Sequence, residues 1–549
     1  MHFSIPETKE IKNGFKTFIT YQIYINGSFH CSLRYRQLYH FHIQLKKVFG
    51  ANSLPNFPPK KFFPLNSQHI EERRSQLEKY IQIVSQDSQI INSDIFNGFL
   101  LAAQQESHNN DDDNNDNNLD IYQLDWQPIR LTTNGQENSE NVLRKFCQTI
   151  QMNSNHVPYF ALFLIERFIM IDNNDNDNKP KHFRIIRRLQ NFESPLLTLR
   201  TIQNRMVTSN QQHNNIIIII YKSYFNIEFD QDLFDDQIAL NCIFLQTVQD
   251  IENGHIVCND RDTRRRLNHL KIKQDKLEYI RLARLQKFYG YFHFESCYCD
   301  LPSMPAKTNV TIFAGNQELI IRVDNQDQEY SFRIIRIKCW RLTTSTANNN
   351  NNPQTDLEIL EHEESTTQEK GRFELSFEYL INKGTLQWIT IYSSQAVLIS
   401  YCLQSMVEEM LLKREGKKFR SEGLTIRYNT SPNLRLTNSN QIDDQLTLTN
   451  INDNNLTTST TANNDNNFEW NYYKQDGSST KFPLSTSSST TTLTSEKSHC
   501  SSSEKSIQHN DQIEQKPNGM TDPLMLQQRF QEISIVENNI FDEIGDDDL

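Results

Sequence analysis

Three short motifs, well separated along the chain, converge on one kind of site. Arg34-Tyr35 comes first, then the loop Leu54-Pro55-Asn56-Phe57-Pro58-Pro59-Lys60-Lys61, then Arg73-Arg74-x-x-Leu77-x-x-Tyr80. An arginine forks onto phosphate oxygens through bidentate, charge-assisted bonds, and a neighbouring tyrosine ring offers a floor for an inositol. Lys60 and Lys61 add point charges held at a fixed distance by the prolines. The doublet Phe62-Phe63 just beyond is suited to entering a bilayer interface. The series reads as a pocket for one phosphorylated lipid with an apolar wedge beside it.

These residues resemble the PX (phox-homology) domain of sorting nexins over residues 1–105. The resemblance implies that Arg34 holds the 3-phosphate, Tyr35 stacks on the inositol ring, Lys60 meets the 1-phosphate and Arg73 contacts inositol hydroxyls. The implied ligand is phosphatidylinositol 3-phosphate. Charge is divided accordingly. Residues 1–105 carry twelve Lys/Arg and seven Asp/Glu, whereas the whole chain has a formal net charge of −12. Attraction to an anionic surface is therefore concentrated at the front, and nucleic acid is not expected as a partner.

At 549 residues the chain has room for three or four domains. Asn/Asp-rich or Ser/Thr-rich stretches at 107–118, 173–179, 209–215 and 344–370 lack an apolar period and read as surface loop expansions. The longer one through 428–520 reads as a linker. No apolar run reaches the ~18 residues of a membrane span, and Ile216 to Ile220 reads as a buried strand. The first ten residues show no signal-peptide pattern, so a cytoplasmic protein is expected.

Nine scattered cysteines suggest reduced thiols, and Cys297-x-Cys299 reads as two same-face cysteines on a strand, not as a metal motif. His30-Cys31 with Arg34 and Arg36 imitates a phosphatase loop, but Gln37 stands where the phosphate-binding arginine belongs and no glycines form a cradle. No catalytic motif is present, so neither an enzyme nor a cofactor is expected.

Beyond the first acidic loop, residues 119–223 alternate strand and helix patterns, with strands at Leu119 to Leu131 and Phe160 to Ile165 and a helix at Glu140 to Ile150. This predicts a ubiquitin-like unit. Residues 226–290 carry Leu240, Ile243, Phe244, Val248 and Ile251 on one helical face and predict a helical module. Strand patterns at 291–295, 308–314, 318–323, 330–343, 372–380 and 386–392 precede a helix from about Ser394 to Arg414, as in a PH/PTB-like sandwich.

In that order the units resemble a FERM module, and Cys339-Trp340-Arg341, Leu386-Gln-Trp-Ile-Thr390 and Leu403-Gln-Ser-Met-Val-Glu-Glu409 are similar to the PX-FERM group of sorting nexins. The expected fold class is α+β multidomain. It comprises a PX domain (1–105), three FERM lobes (F1, 119–223; F2, 226–290; F3, 291–415) and a disordered tail (416–549) with a C-terminal docking motif.

In a PTB-like fold an extended peptide pairs with an edge strand beside the C-terminal helix. Trp340 is the candidate aromatic wall, and Leu380, Val407 and Leu411 are candidates for the apolar groove. The family resemblance implies that the peptide is an NPxY or NxxY sorting signal in a receptor tail. It also implies that the acidic end, with apolar anchors at Phe541, Ile544 and Leu549, recruits the Retriever recycling complex. The expected function is an endosomal cargo adaptor, peripheral on endosomal membranes, that directs receptors into recycling and away from lysosomes. A FERM-type membrane-cytoskeleton linker or scaffold is the alternative.

Overall fold

Alternation in the segment around Tyr21, Ile23 and Ile25 predicts a strand with one buried face, and all three side chains are buried. In the computed structural model they belong to an antiparallel sheet of β1 (Phe3–Ser4), β2 (Thr8–Asn13), β3 (Lys16–Ile25) and β4 (Ser28–Arg34), in which β3 pairs with the other three. The structure describes residues 1–13, 16–60, 66–108, 117–168, 182–208, 216–302, 304–326, 328–345, 372–382, 384–416, 456–460, 470–474, 479–480, 531–538 and 540–541.

Four helices complete the first domain: α1 (Tyr35–Phe49), α2 (Ser67–Val84), α3 (Ser88–Ile91) and α4 (Asp94–His108). Asn66 caps α2 by accepting from the His69 amide at 2.8 Å, satisfying one of the orphan donors of the first turn. The core lies between sheet and helices, where Phe41 and Phe99 stack at 4.1 Å.

The second unit places β5 (Asn118–Tyr122), β6 (Pro128–Thr132), α5 (Ser139–Thr149), β7 (Phe160–Phe168), β8 (His182–Arg188), α6 (Pro195–Thr208) and β9 (Ile216–Lys222) in a sheet of order β6-β5-β9-β7-β8. The β5–β9 pair is parallel and the others are antiparallel, the topology of a β-grasp. The isoleucine run forms β9, whose residues are all buried, as its position between β5 and β7 demands. The expected strand 119–131 is a hairpin of two, because Trp126 turns the chain with φ of 66°.

Helices α7 (Gln237–Glu252), α8 (Arg261–Lys273) and α9 (Lys276–Ala283) follow as the helical unit. Asp236 caps α7 and Asp260 caps α8.

The last unit contains β10 (Phe292–His293), β11 (Cys297–Asp300), β12 (Thr308–Gly315), β13 (Glu318–Val323), β14 (Glu329–Arg333), β15 (Ile337–Ser345), β16 (Arg372–Asn382), β17 (Thr385–Tyr392) and α10 (Ala396–Arg414). The stretch expected as one strand over 330–343 is two. A single 3₁₀ turn at Ile334–Arg336 breaks it, because Ile334 turns inward and is fully buried. Helix α10 also fastens the lobes together, since its buried Glu409 carboxylate accepts from the backbone amides of Phe225 and Asn226, both at 2.8 Å.

The segment expected to be without structure contains β18 (Leu456–Thr460), β19 (Trp470–Lys474) and β20 (Ser479–Thr480), which pair with one another. It also contains β21 (Gln531–Glu537), which pairs with β15. The remainder of that expectation lies outside the described residues.

The first domain is seated on the second. Gln104 of α4 donates to Thr198 at 3.0 Å and accepts from the Ser194 amide at 2.8 Å. His30 stands edge-on to Phe192, and its Nε2 donates to the Leu100 carbonyl oxygen at 3.0 Å. Burial holds this imidazole down at about 4, opposed by Glu193 and reinforced by Arg187 and His108.

The folded state therefore favours neutral His30. Its contribution is present above the unfolded value near 6.5 and is lost as pH falls towards 4, on the order of 3 kcal/mol. Thermal unfolding followed from pH 7 to pH 4 is expected to show a steeper loss for the natural chain than for His30→Gln. Equal slopes would contradict the assignment.

Candidate functional site: a phosphate pocket and a peptide groove

The four residues expected to hold lipid come together where β4 turns into α1. Arg34 ends the strand and is exposed, while Tyr35 opens the helix. The junction is fixed by Gln37, which accepts from the Arg34 amide at 2.7 Å and donates to Glu106 at 2.7 Å. Tyr35 donates its hydroxyl to the Pro58 carbonyl at 2.7 Å, which ties the proline loop to the helix.

The Arg73 guanidinium lies 4.4 Å over the Tyr35 ring, and the Lys60 ammonium lies 4.4 Å over the Tyr39 ring. Tyr35 and Tyr39 stack at 6.2 Å. The result is an aromatic floor carrying two cations, while the Arg34 guanidinium lies 4.1 Å over the Phe18 ring of β3. Burial pushes the Tyr35 phenol up, and nearby Arg73 pulls it back.

Adjacent arginines divide the work. Arg74 is buried and consumed by structure, pairing with Glu71 at 2.5 Å and Glu78 at 2.6 Å and donating to the Ile5 carbonyl. Arg73 is 7 % exposed and its Nη2 is buried without a hydrogen-bond partner. The same guanidinium lies within electrostatic and hydrogen-bonding reach of the buried Tyr21 phenol, whose ionisation burial opposes and Arg73 favours.

Sequence reasoning passed over Tyr39, although Tyr35 and Tyr39 stand four residues apart on α1 and so share a face. Phe62, Phe63 and Lys61 lie outside the described residues. The Cys31 thiol of the phosphatase-like stretch is fully buried and pushed well up, which makes it inert.

The second site lies between β15 and α10. Val407 is buried, Leu411 is half-buried and both pack in the core cluster shared by sheet and helix, while Leu380 is buried on β16. Trp340 sits beneath this groove instead of on its wall. It is 1 % exposed and its Nε1 donates to Ser400 of α10 at 3.0 Å. Alternation along β15 sends Trp340 and Leu342 inward.

Strand β21 of the chain's own tail occupies the edge of β15, with Val536 opposite Trp340 and Glu537 opposite Cys339. Asn538 then leaves the strand and closes the site. It is 3 % exposed, and its Nδ2 donates to the carbonyls of Ile334 and Ile337 at 2.9 and 2.7 Å. Its own carbonyl accepts from the Phe541 amide at 3.0 Å, which completes a turn over Asn538, Ile540 and Phe541.

The 3₁₀ break after β14 is what leaves those two carbonyls available. Ile540, within the turn, is buried in the same cluster as Val407. The groove thus holds a strand followed by an asparagine turn and an aromatic residue. Phe541 is half-buried at the end of this turn, whereas Ile544 and Leu549 lie outside the described residues.

Among the described residues no cluster of His, Cys, Asp or Glu is suited to a metal, and no helix is long and apolar enough to cross a membrane.

Comparison with known proteins follows the same divisions. Residues 21–103 match the PX domain family, and residues 117–225 match the sorting nexin 17/27/31 FERM F1 lobe. Residues 226–287 match the sorting nexin 17/31 F2 lobe, and residues 290–411 match the sorting nexin 17 FERM C-terminal domain. Sorting nexin-17 of Rattus norvegicus is 36% identical over 80% of this chain and 87% of its own length. The Danio rerio protein of that name is 36% identical over 78% and 85%. Sorting nexin-31 of Homo sapiens is 29% identical over 75% and 86%.

A PX domain implies phosphoinositide binding and peripheral membrane association, and the family consists of adaptors without enzymatic activity. From its PX pocket through its three FERM lobes, this chain belongs to the sorting nexin-17-like group of PX-FERM proteins.

Proposed function

We propose that the protein is an endosomal cargo adaptor. It holds phosphatidylinositol 3-phosphate with Arg34, Tyr35, Lys60 and Arg73, and receives NPxY or NxxY signals of receptor tails between β15 and α10. The observation that carries the cargo half is the tail itself. Asn538 and Phe541 are spaced as the asparagine and aromatic residue of such a signal, and the groove grips the asparagine through two backbone carbonyls. A receptor peptide making the same contacts must displace the tail.

That exchange gives the adaptor its logic. With the groove filled in cis, Phe541 is withheld. Once cargo enters, Phe541, Ile544 and Leu549 become available to a recycling complex of the Retriever type. Receptors so retained are returned to the cell surface and spared lysosomal degradation, with the protein peripheral on the cytoplasmic face of early and recycling endosomes.

Binding of a soluble NPxY peptide tests the cargo site. Val407→Asp places a charge in the apolar groove and is expected to lower affinity at least about 30-fold, the equivalent of ~2 kcal/mol. Undiminished binding would rule the groove out. Removing Leu549 alone is expected to leave lipid and peptide binding intact while impairing receptor return in cells. Normal return would remove the tail from the recycling step.

A further inference from the structure

The first domain touches the last one at the far end of the peptide groove, and the contact is built from the chain's first residues. The His2 amide donates to Asn26 Oδ1 at 3.0 Å, the Asn26 amide returns a bond to the His2 carbonyl at 2.8 Å, and the Phe3 amide donates to Gln82 of α2 at 2.8 Å. This knot holds His2, which is fully buried, edge-on to Phe373 of β16 with ring centroids 5.5 Å apart.

The β3–β4 turn presses on the same ring. Gly27 has a φ of +76°, and a Cβ there would lie 2.9 Å from Phe373. Met1 packs, partly buried, against the same core as Phe3.

Register places this contact beside the bound strand. Phe373 and Gln531 flank the same residue, Thr344 of β15, one on each side. Two strand spacings therefore separate their backbones, about 10 Å. Cα atoms of β21 come within 8 Å of α2, the helix that carries Arg73. Gln531 stands seven residues before Asn538, a reach of roughly 23 Å along an extended strand.

We infer that the PX domain forms the third wall of the peptide groove, so that residues about four to seven places before the asparagine of a cargo signal are received by α2 and the N-terminal knot. This rests on the reading of the groove as a cargo site. Its occupant is an extended receptor-tail peptide that runs antiparallel to β15 past the anchored asparagine. Recognition then extends beyond the FERM module, and the helix that contributes Arg73 to the lipid pocket also borders the cargo.

The test uses the full chain with Asn538→Ala and Phe541→Ala, which frees the groove, and two NPxY peptides. One begins two residues before the asparagine and the other nine. The long peptide is expected to bind at least about fivefold more tightly. Phe373→Ala, which removes the ring gripped by His2 and Gly27, is expected to bring the two affinities together by weakening the long peptide alone. Gly27→Ala, whose Cβ would lie 2.9 Å from the Phe373 ring, is expected to behave likewise.

Short-peptide affinity reports folding and the cargo reading in every chain. If neither peptide binds the freed groove, the cargo reading fails. If the short one binds and the long one gains nothing, or its gain survives both changes, the PX wall is overturned.

Discussion

Arg34→Ala is expected to release the protein from vesicles containing phosphatidylinositol 3-phosphate while leaving soluble peptide binding unchanged. Arg34 stands at the exposed end of β4, held there by Gln37 through the backbone and not through the guanidinium. Truncating it removes the fork and spares the junction. A charged hydrogen bond contributes about 1.5–3 kcal/mol, so loss of a bidentate contact corresponds to a fall of at least ~10-fold to ~100-fold.

Arg73→Ala should match it in lipid binding, since Arg73 is the cation stacked on Tyr35 and the one with a buried donor left unmatched. The outcomes separate on stability. Removing an unsatisfied buried group costs less than removing a paired one, so Arg73→Ala should be tolerated where Arg74→Ala, which strands Glu71 and Glu78, should unfold the domain at lower temperature. Vesicle sedimentation and thermal melting together check this. Retention of lipid binding by both Arg34→Ala and Arg73→Ala would discard the pocket.

The second large effect concerns the tail. Replacing Asn538 by alanine deletes the amide that donates to Ile334 and Ile337, two buried bonds worth about 1 kcal/mol each, and leaves both carbonyls unpaired in the empty or tail-filled site. The equilibrium constant for cis closure should fall roughly 30-fold, and the affinity for an added NPxY peptide should rise by the factor by which the open fraction of chains increases. Phe541→Ala should act in the same direction. If peptide affinity is the same in natural and substituted chains, the tail does not compete with cargo.

Much of this was legible because the informative residues are specific in type. Tyr35, Lys60 and Arg73 converge on one aromatic floor with Arg34 next in the chain, and the apolar face of α7 lies where its spacing puts it. Other features were not legible for physical reasons. A strand pattern does not show a 3₁₀ break whose cause is the burial of one side chain, Ile334, against distant elements.

Trp340 has the composition of a ligand wall, but its partner, Ser400, is sixty residues away, so only the fold reveals that it lies under the groove. Trp340→Ala is therefore expected to cost about 3–5 kcal/mol of stability and to act on cargo only through unfolding. Strand β21 had a local signal in Ile533, Ile535 and Val536 ahead of Asn538 and Phe541. It was overlooked because edge pairing is decided by the accepting strand, and the surrounding acidic sequence pointed to a segment without structure.

One measurement tests the adaptor account most directly: flotation of the full chain with vesicles that contain phosphatidylinositol 3-phosphate, a bilayer-anchored NPxY peptide, both or neither. Linked sites raise effective concentration, so retention on vesicles bearing both should exceed the sum of the single arms, and Arg34→Ala or Val407→Asp should each reduce it to the remaining arm. Retention set by the lipid alone, indifferent to peptide and to Val407→Asp, would contradict the account and leave a membrane-docked scaffold whose groove serves only its own tail.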